Sequence, residues 1–354
     1  MSKNKNKSEL GNIKKQIINI GIVVLLTVVV FCVILLNNKE FSFSVFFGFI
    51  KNLNIYYLLG AFVCMLFFIL FEGLSLKIIL KNLGYRSRFR EAMIYSASDI
   101  YYSAITPSAS GGQPASVSYM NKDGIPVSVA TASVTFNIFM YTASIIVIGL
   151  FAIIVNPSYF FEFGLIYKIL IVAGVIVQMG IMIFFLMLMK KPSLLQSLAK
   201  GCLKLLYKIK LVKNIQAKMQ KVDETISSYK QSIDIIKGNV PLAIKAFLLN
   251  LIQRVSQMAI GVFVYLAAGL DTISVLDIFV LQSFCLIGSN SVPIPGAAGV
   301  SEGLYLSAFG SFFASNAMLL NCMMATRGIA YYISFIFSGI LTFIHHIYIT
   351  LKKG

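Results

Sequence analysis

AMIYSASDIYYSAITPSASGGQPASVSYMN (residues 92–121) carries a single charge, Asp99, yet does not read as one uninterrupted helix. Pro107 and Pro114 each remove a helix donor, and Gly111 and Gly112 add backbone freedom between them. The arm before the break, 92–105, is about 21 Å long as a helix, enough to enter a hydrocarbon layer of about 30 Å but not to cross it. The stretch is expected to dip into a bilayer and return, as a re-entrant hairpin, to Asn121-Lys122-Asp123-Gly124.

The flanking sequence supplies the bilayer. Residues 17–36, 52–71, 125–156 and 169–189 hold no charge at all, and each is long enough to span. Across 354 residues, 58% are hydrophobic and 12% charged, with mean hydropathy +0.84. A soluble domain carries about 25% charged residues, so soluble enzyme classes are excluded. The fold class expected is all-α: a polytopic membrane protein of about eight hydrophobic segments, including two re-entrant hairpins.

Charge sets the expected topology. The net +17 is concentrated in 3–15, 77–90 and 190–237, each beside an apolar block. Such segments stay cytoplasmic and face anionic lipid, so no nucleic-acid partner is expected. Residues 1–15 form a basic cytoplasmic N-terminus. The apolar run after them exceeds a signal-peptide core and lacks an A-x-A site, so it reads as a retained helix, 16–36. The first membrane half, 16–189, then contains a helix at 52–80 with Glu72, the hairpin 92–121, a helix within 125–156 and another at 165–189. Segments 37–51 and 156–164 face outside. Residues 190–240 hold 11 Lys against three acids, with apolar residues such as Leu198, Cys202, Leu205, Tyr229, Ile233 and Ile236 at helical spacing. This predicts an amphipathic helix or helix pair lying on anionic lipid headgroups; a coiled-coil partner surface is the alternative. The second half, 241–351, opens with a helix carrying Lys245 and Arg254. A second hairpin, 278–309, is broken by SVPIPGAAG (291–299), and a last apolar block carries Arg327. A cytoplasmic Lys352-Lys353 tail favours one long helix over 314–350, with two helices as the alternative.

The halves resemble each other. Each has a long helix with an embedded charge (Glu72; Arg254), a 14-residue arm, a Pro-x-x-x-Gly break (Pro107 to Gly111; Pro295 to Gly299) and a further helix. The charge rule makes the first hairpin start inside and the second outside. Paired breaks in inverted repeats point to a transporter's midplane site, because backbone freed in lipid must find protein or a wet cavity. The plainer reading is two unrelated kinks.

Candidate site residues follow. Glu72, Asp99, Arg254, Glu302 and Arg327 sit in apolar surroundings, where a charge normally faces a cavity or a partner. Arg254 and Arg327 suit a phosphate, with the acids balancing them or holding a cationic group. Structural ion pairing is the competing reading. Gly111-Gly112-Gln113 and Gly296 to Gly299 offer backbone N–H groups to a headgroup. The five cysteines form no CxxC unit, and the adjacent His345 and His346 cannot make an HExxH site, so no metal, cofactor or catalytic residue is expected. The histidines are read as marking the membrane–water interface.

TPSASGGQPASVSYMNKDGI (106–125), PIPGAAGVSEG (293–303) and Arg327 together resemble the lysylphosphatidylglycerol synthase transmembrane, or flippase-like, family, over about 15–350. Thr106, Pro107, Gly111, Gly112 and Gln113 match its first motif, and Pro295, Gly296, Gly299 and Glu302 its second. The resemblance implies an eight-segment domain of the kind that moves aminoacylated phosphatidylglycerol between leaflets. It associates the chain with lipid metabolism and resistance to cationic antibiotic peptides. Full-length synthases add a soluble lysyltransferase domain. This chain ends at Gly354, so phosphatidylglycerol lysyl transfer is expected to be absent. In the helix after the first motif many members carry charges, whereas SVTFNIFMY (133–141) has Asn137 as its most polar residue. The expected function is translocation of a phospholipid or lipid-linked headgroup in the cell membrane, with both termini cytoplasmic. The alternatives are lysyl transfer and ion-coupled transport of a small solute.

Overall fold

The computed structural model of the protein describes residues 43–106, 109–208 and 214–353; the helix expected at 16–36 and the basic segment before it lie outside the described residues. Every regular element among the described residues is helical. Five helices are long and apolar enough to cross a membrane: α2 (Ile55–Asn82), α5 (Val127–Val155), α7 (Leu165–Lys190), α10 (Val240–Ala267) and the continuous run Asn316–Ile349. That run comprises α13 (Asn316–Arg327), a π-helical turn (Gly328–Ile333) and α14 (Ser334–Lys353). The last block is thus one interrupted rod rather than two separate helices.

Both broken stretches fold as helix–break–helix. The first is α3 (Phe89–Ala104) followed by α4 (Gly112–Lys122), the second α11 (Val275–Ser289) followed by α12 (Val300–Phe309), and within each the two arms pack on each other. Polar caps set several boundaries. Asn54 accepts from Tyr56 N–H to start α2, Asn239 with Pro241 starts α10, and Ser274 accepts from Asp277 N–H to start α11.

Helices α2 and α10 form the largest interface. Asn54 N–H bonds Ala267 O (2.9 Å), Gly60 abuts Phe263, Gln253 donates to Glu72 and Asn250 donates to Ser75. Residue numbers rise on one helix as they fall on the other, so the two run antiparallel. Fully buried Ala61, Ile69, Ile260 and Val264 fill the seam. The outer helix α7 buries only Ile171, Gly174, Gln178, Leu188 and Met189, and exposes Leu165, Ile166 and Ile176. An apolar exterior of that kind is at home in lipid.

One stretch differs from expectation, and a second takes one of its two expected forms. Residues 37–51, read as an outer loop, contain α1 (Phe43–Asn52), whose Phe46 and Phe49 pack on the α2–α10 cluster. Residues 190–240 form a helix pair, α8 (Pro192–Lys208) and α9 (Ile215–Lys237), joined by residues outside the description. α9 turns Tyr229, Ile233 and Ile236 inward onto α2, α5 and α10, whereas α8 buries nothing and leaves Leu198 and Leu205 exposed. Only α8 therefore keeps an apolar stripe free. The short helix α6 (Ser158–Glu162) completes the turn between α5 and α7.

Candidate functional site

The two breaks meet at one cavity. It measures about 760 Å³ and is lined by Ala109 and Gln113 from the first break, Gly296 and Ala297 from the second, and Arg254 and Arg327. Each break holds one alanine with positive φ, Ala109 (53°) and Ala297 (49°), and these are the only non-glycine residues of that kind among the described residues. Such backbone is uncommon outside glycine and persists only where the surroundings enforce it.

The first break is pinned from within. Thr106 Oγ1 donates to Tyr102 O (2.7 Å) and accepts from Gly111 N–H (2.8 Å), while Ser103 Oγ donates to Asp99 Oδ1 (3.0 Å). A Cβ on Gly112 would overlap the Asp99 carboxylate and the Ser103 hydroxyl, so only glycine lets the start of α4 close on α3. Thr106, Gly111 and Gly112 shape the turn, and Gln113 faces the cavity. Pro107 lies outside the described residues.

The second break is clamped by an ion pair. Arg327 Nε donates to Glu302 Oε1 (2.8 Å) and Arg327 Nη2 to Gly296 O (3.0 Å). Glu302 Oε2 accepts from Gly299 N–H (2.7 Å) and Ser301 Oγ (3.0 Å). Gly299 (φ 83°) starts α12, and Pro295 opens the tight turn Pro295–Ala297. Glu302 and Arg327 thus form an ion pair, with Arg327 also lining the cavity.

Arg254 is different. It is 6% exposed, with its guanidinium carbon 3.9 Å from the Tyr141 ring centroid and 5.4 Å from that of Phe68. Its Nη1 donates to Gln257, its Nε has no hydrogen-bond partner, and among the described ion pairs none includes it. The stacked rings hold the planar group without consuming its five in-plane donors. Gln178, the buried polar residue of lipid-facing α7, lines the same cavity together with Gln257 and Gln282.

Glu72 lies behind Arg254. Its Oε2 accepts from Ser96 Oγ (2.9 Å) and Gln253 Nε2 (3.2 Å), and Asp99 lies one helix turn beyond Ser96 on α3. One turn further along α2, Ser75, Asn137 and Asn250 close a buried triangle, with Ser75 donating to Asn137 Oδ1 (2.6 Å) and Asn250 Nδ2 donating to both (3.0 Å each). Asn137 is thus a joint of α2, α5 and α10 rather than a cavity residue. His345 is buried against Asp123 (3.3 Å) at the far end of the first hairpin, away from the cavity.

Sequence reasoning missed Tyr141 and Tyr331. Tyr331 stacks under Arg327 (4.8 Å), donates to Ala104 O (3.3 Å) at the end of α3, and would collide with any Cβ on Gly296, so one side chain touches both breaks. Its position four residues after Arg327 was a usable signal; among 17 tyrosines nothing local singled out Tyr141.

Residues 16–338 match the family model described as the lysylphosphatidylglycerol synthase TM region. The chain is also similar to a UPF0104 membrane protein of Archaeoglobus fulgidus, with 23% identity over 288 residues, covering 79% of this chain and 83% of the relative.

Proposed function

The chain belongs to the lysylphosphatidylglycerol synthase transmembrane family, and from that premise we propose that it is a lipid translocase of the cell membrane, with both termini cytoplasmic. An anionic phospholipid or lipid-linked headgroup enters the cavity between the two re-entrant hairpins while its acyl chains stay in the bilayer.

The observation that carries this reading is Arg254. A buried cation needs a partner. Arg327 has one in Glu302, whereas Arg254 lines the cavity, is in none of the described ion pairs and has a buried Nε with no hydrogen-bond partner. A phosphate monoanion supplies the missing acceptors in the bidentate form that arginine favours. Gln113, Gln178, Gln257 and Gln282 offer neutral hydrogen bonds to the rest of a polar headgroup. The antiparallel α2 and α10 support an inverted repeat, and rocking one half against the other exposes a fixed site to each side in turn. The Lys-rich α8, with its exposed apolar stripe, rests on anionic headgroups at the cytoplasmic face.

Reconstitution tests this. Purified protein in vesicles is expected to exchange fluorescent phosphatidylglycerol between leaflets faster than empty vesicles. Arg254→Ala is expected to slow exchange roughly ten- to hundredfold, the worth of a charge-assisted hydrogen bond of about 1.5–3 kcal/mol. Rates equal to empty vesicles across a panel of anionic, zwitterionic and aminoacylated lipids would end the reading. Lysyl transfer from charged tRNA to phosphatidylglycerol by this chain would replace it with the enzyme alternative.

A further inference from the structure

The headgroup site leaves one pair of acids unused: Glu72, which is buried, and Asp99, which is partly exposed. Glu72 comes from α2 and Asp99 from α3, where Asp99 lies one helix turn beyond Ser96, whose hydroxyl bonds Glu72 at 2.9 Å. Each carboxylate has only acceptors, so two of them placed side by side call for a proton between them. Ser96 and Gln253 donate to Glu72, and Ser103 donates to Asp99. From α4, the Gly112 backbone closes against Asp99. The charged group beside the pair is Arg254 of α10: its neighbour Gln253 donates to Glu72, and its guanidinium lies over Phe68, one turn before Glu72 on α2, and over Tyr141 of α5.

Count the charges. With one proton the pair carries −1, Arg254 carries +1, and the cluster is neutral. A phosphate monoanion arriving at Arg254 would leave the buried cluster at −1, which a low-dielectric site disfavours. A second proton restores neutrality. Losing both protons instead leaves two carboxylates that compete with the phosphate for Arg254.

We propose that Glu72 and Asp99 form a proton site linked to the anion site at Arg254, so that a headgroup phosphate and one proton are carried together. The inference rests on the translocase reading above. The balance is simple. Water on the entry side gives up a proton, an O–H bond forms on the second carboxyl as the phosphate binds, and the same bond breaks to water on the exit side as the phosphate leaves. A monoanionic lipid then moves with no net charge. Binding is reciprocal, so the proton strengthens anion binding by the factor by which the anion strengthens proton binding.

The test uses full-length protein in phosphatidylcholine vesicles with a trace of fluorescent short-chain phosphatidylglycerol. Its phosphodiester stays ionised between pH 6 and 8 on chemical grounds, about where the gradient is set. The outside is held about one unit more acidic than the inside. Leaflet distribution is read by albumin extraction, with empty vesicles under the same gradient as baseline. The expected result is accumulation in the inner leaflet by up to about tenfold, the ratio for one coupled proton per pH unit. A protonophore collapses it, and a potassium diffusion potential leaves it unchanged. Glu72→Gln and Asp99→Asn each remove the response, read as the ratio with and without gradient so that altered absolute rates do not enter. Exchange that ignores the gradient, or a response that survives in both variants, overturns the coupling and leaves the translocase reading standing. Exchange no faster than empty vesicles in every condition overturns the translocase reading and the coupling with it.

Discussion

Replacing Arg327 with Ala leaves the Glu302 carboxylate, 5% exposed, without its cation. Breaking a buried pair from one side costs about 3–5 kcal/mol, while replacing both partners by apolar groups of similar size is often neutral. Arg327→Ala is therefore expected to lower Tm sharply in detergent, and Arg327→Met with Glu302→Leu to recover much of it. Arg254→Ala is expected to impair exchange with a smaller loss of stability, because the Glu72–Asp99 pair that faces it regains neutrality by taking up a second proton. A matched pair of thermal unfolding curves checks the contrast. The sequence marked both arginines by the same logic, a charge inside an apolar block. It had no means of separating them, because the difference lies in which acid reaches which arginine across 25 residues in one case and in two aromatic rings from other helices in the other. Glu72 and Asp99 were legible as acids in apolar surroundings, but not as neighbours brought together by Ser96 across two helices.

At the scale of elements, the breaks were the most readable feature, because Pro and Gly act on the backbone at their own positions. The arms fall within a few residues of expectation: 92–105 against Phe89–Ala104, and 278–291 against Val275–Ser289. The π-helical turn at Gly328–Ile333 was illegible. GIAYYI holds no breaker beyond its first glycine, and the turn is fixed by Tyr331 reaching both Ala104 and Arg327. The Lys-rich segment was read as an amphipathic helix or helix pair; it is a pair, and only one of its two helices leaves its apolar stripe exposed. Tyr229→Ala on α9 empties a fully buried position and is expected to cost about 3–5 kcal/mol. Leu198→Ser on exposed α8 is expected to stay within about 0.5 kcal/mol while weakening attachment to anionic vesicles. Unfolding midpoints and a vesicle flotation assay distinguish the two helices.

Across the whole molecule the two halves repeat in length as well as in motif: 28, 16 and 11 residues in α2, α3 and α4, against 28, 15 and 10 in α10, α11 and α12. The long helices of the two units meet antiparallel, and their embedded charges, Glu72 and Arg254, lie near the middle of the pairing, where Gln253 donates to Glu72. One physical demand accounts for this arrangement. Two chain breaks inside a membrane need polar surroundings, and placing them against one cavity lets each supply what the other needs. That cavity must therefore be wet. In protein with native cysteines replaced by Ala, Ser289→Cys places a thiol on the cavity wall. The account predicts that a charged, membrane-impermeant thiol reagent labels it in vesicles, and that short-chain phosphatidylglycerol slows the labelling while the matching phosphatidylcholine does not. A thiol that stays unreactive from both sides of the membrane would contradict it.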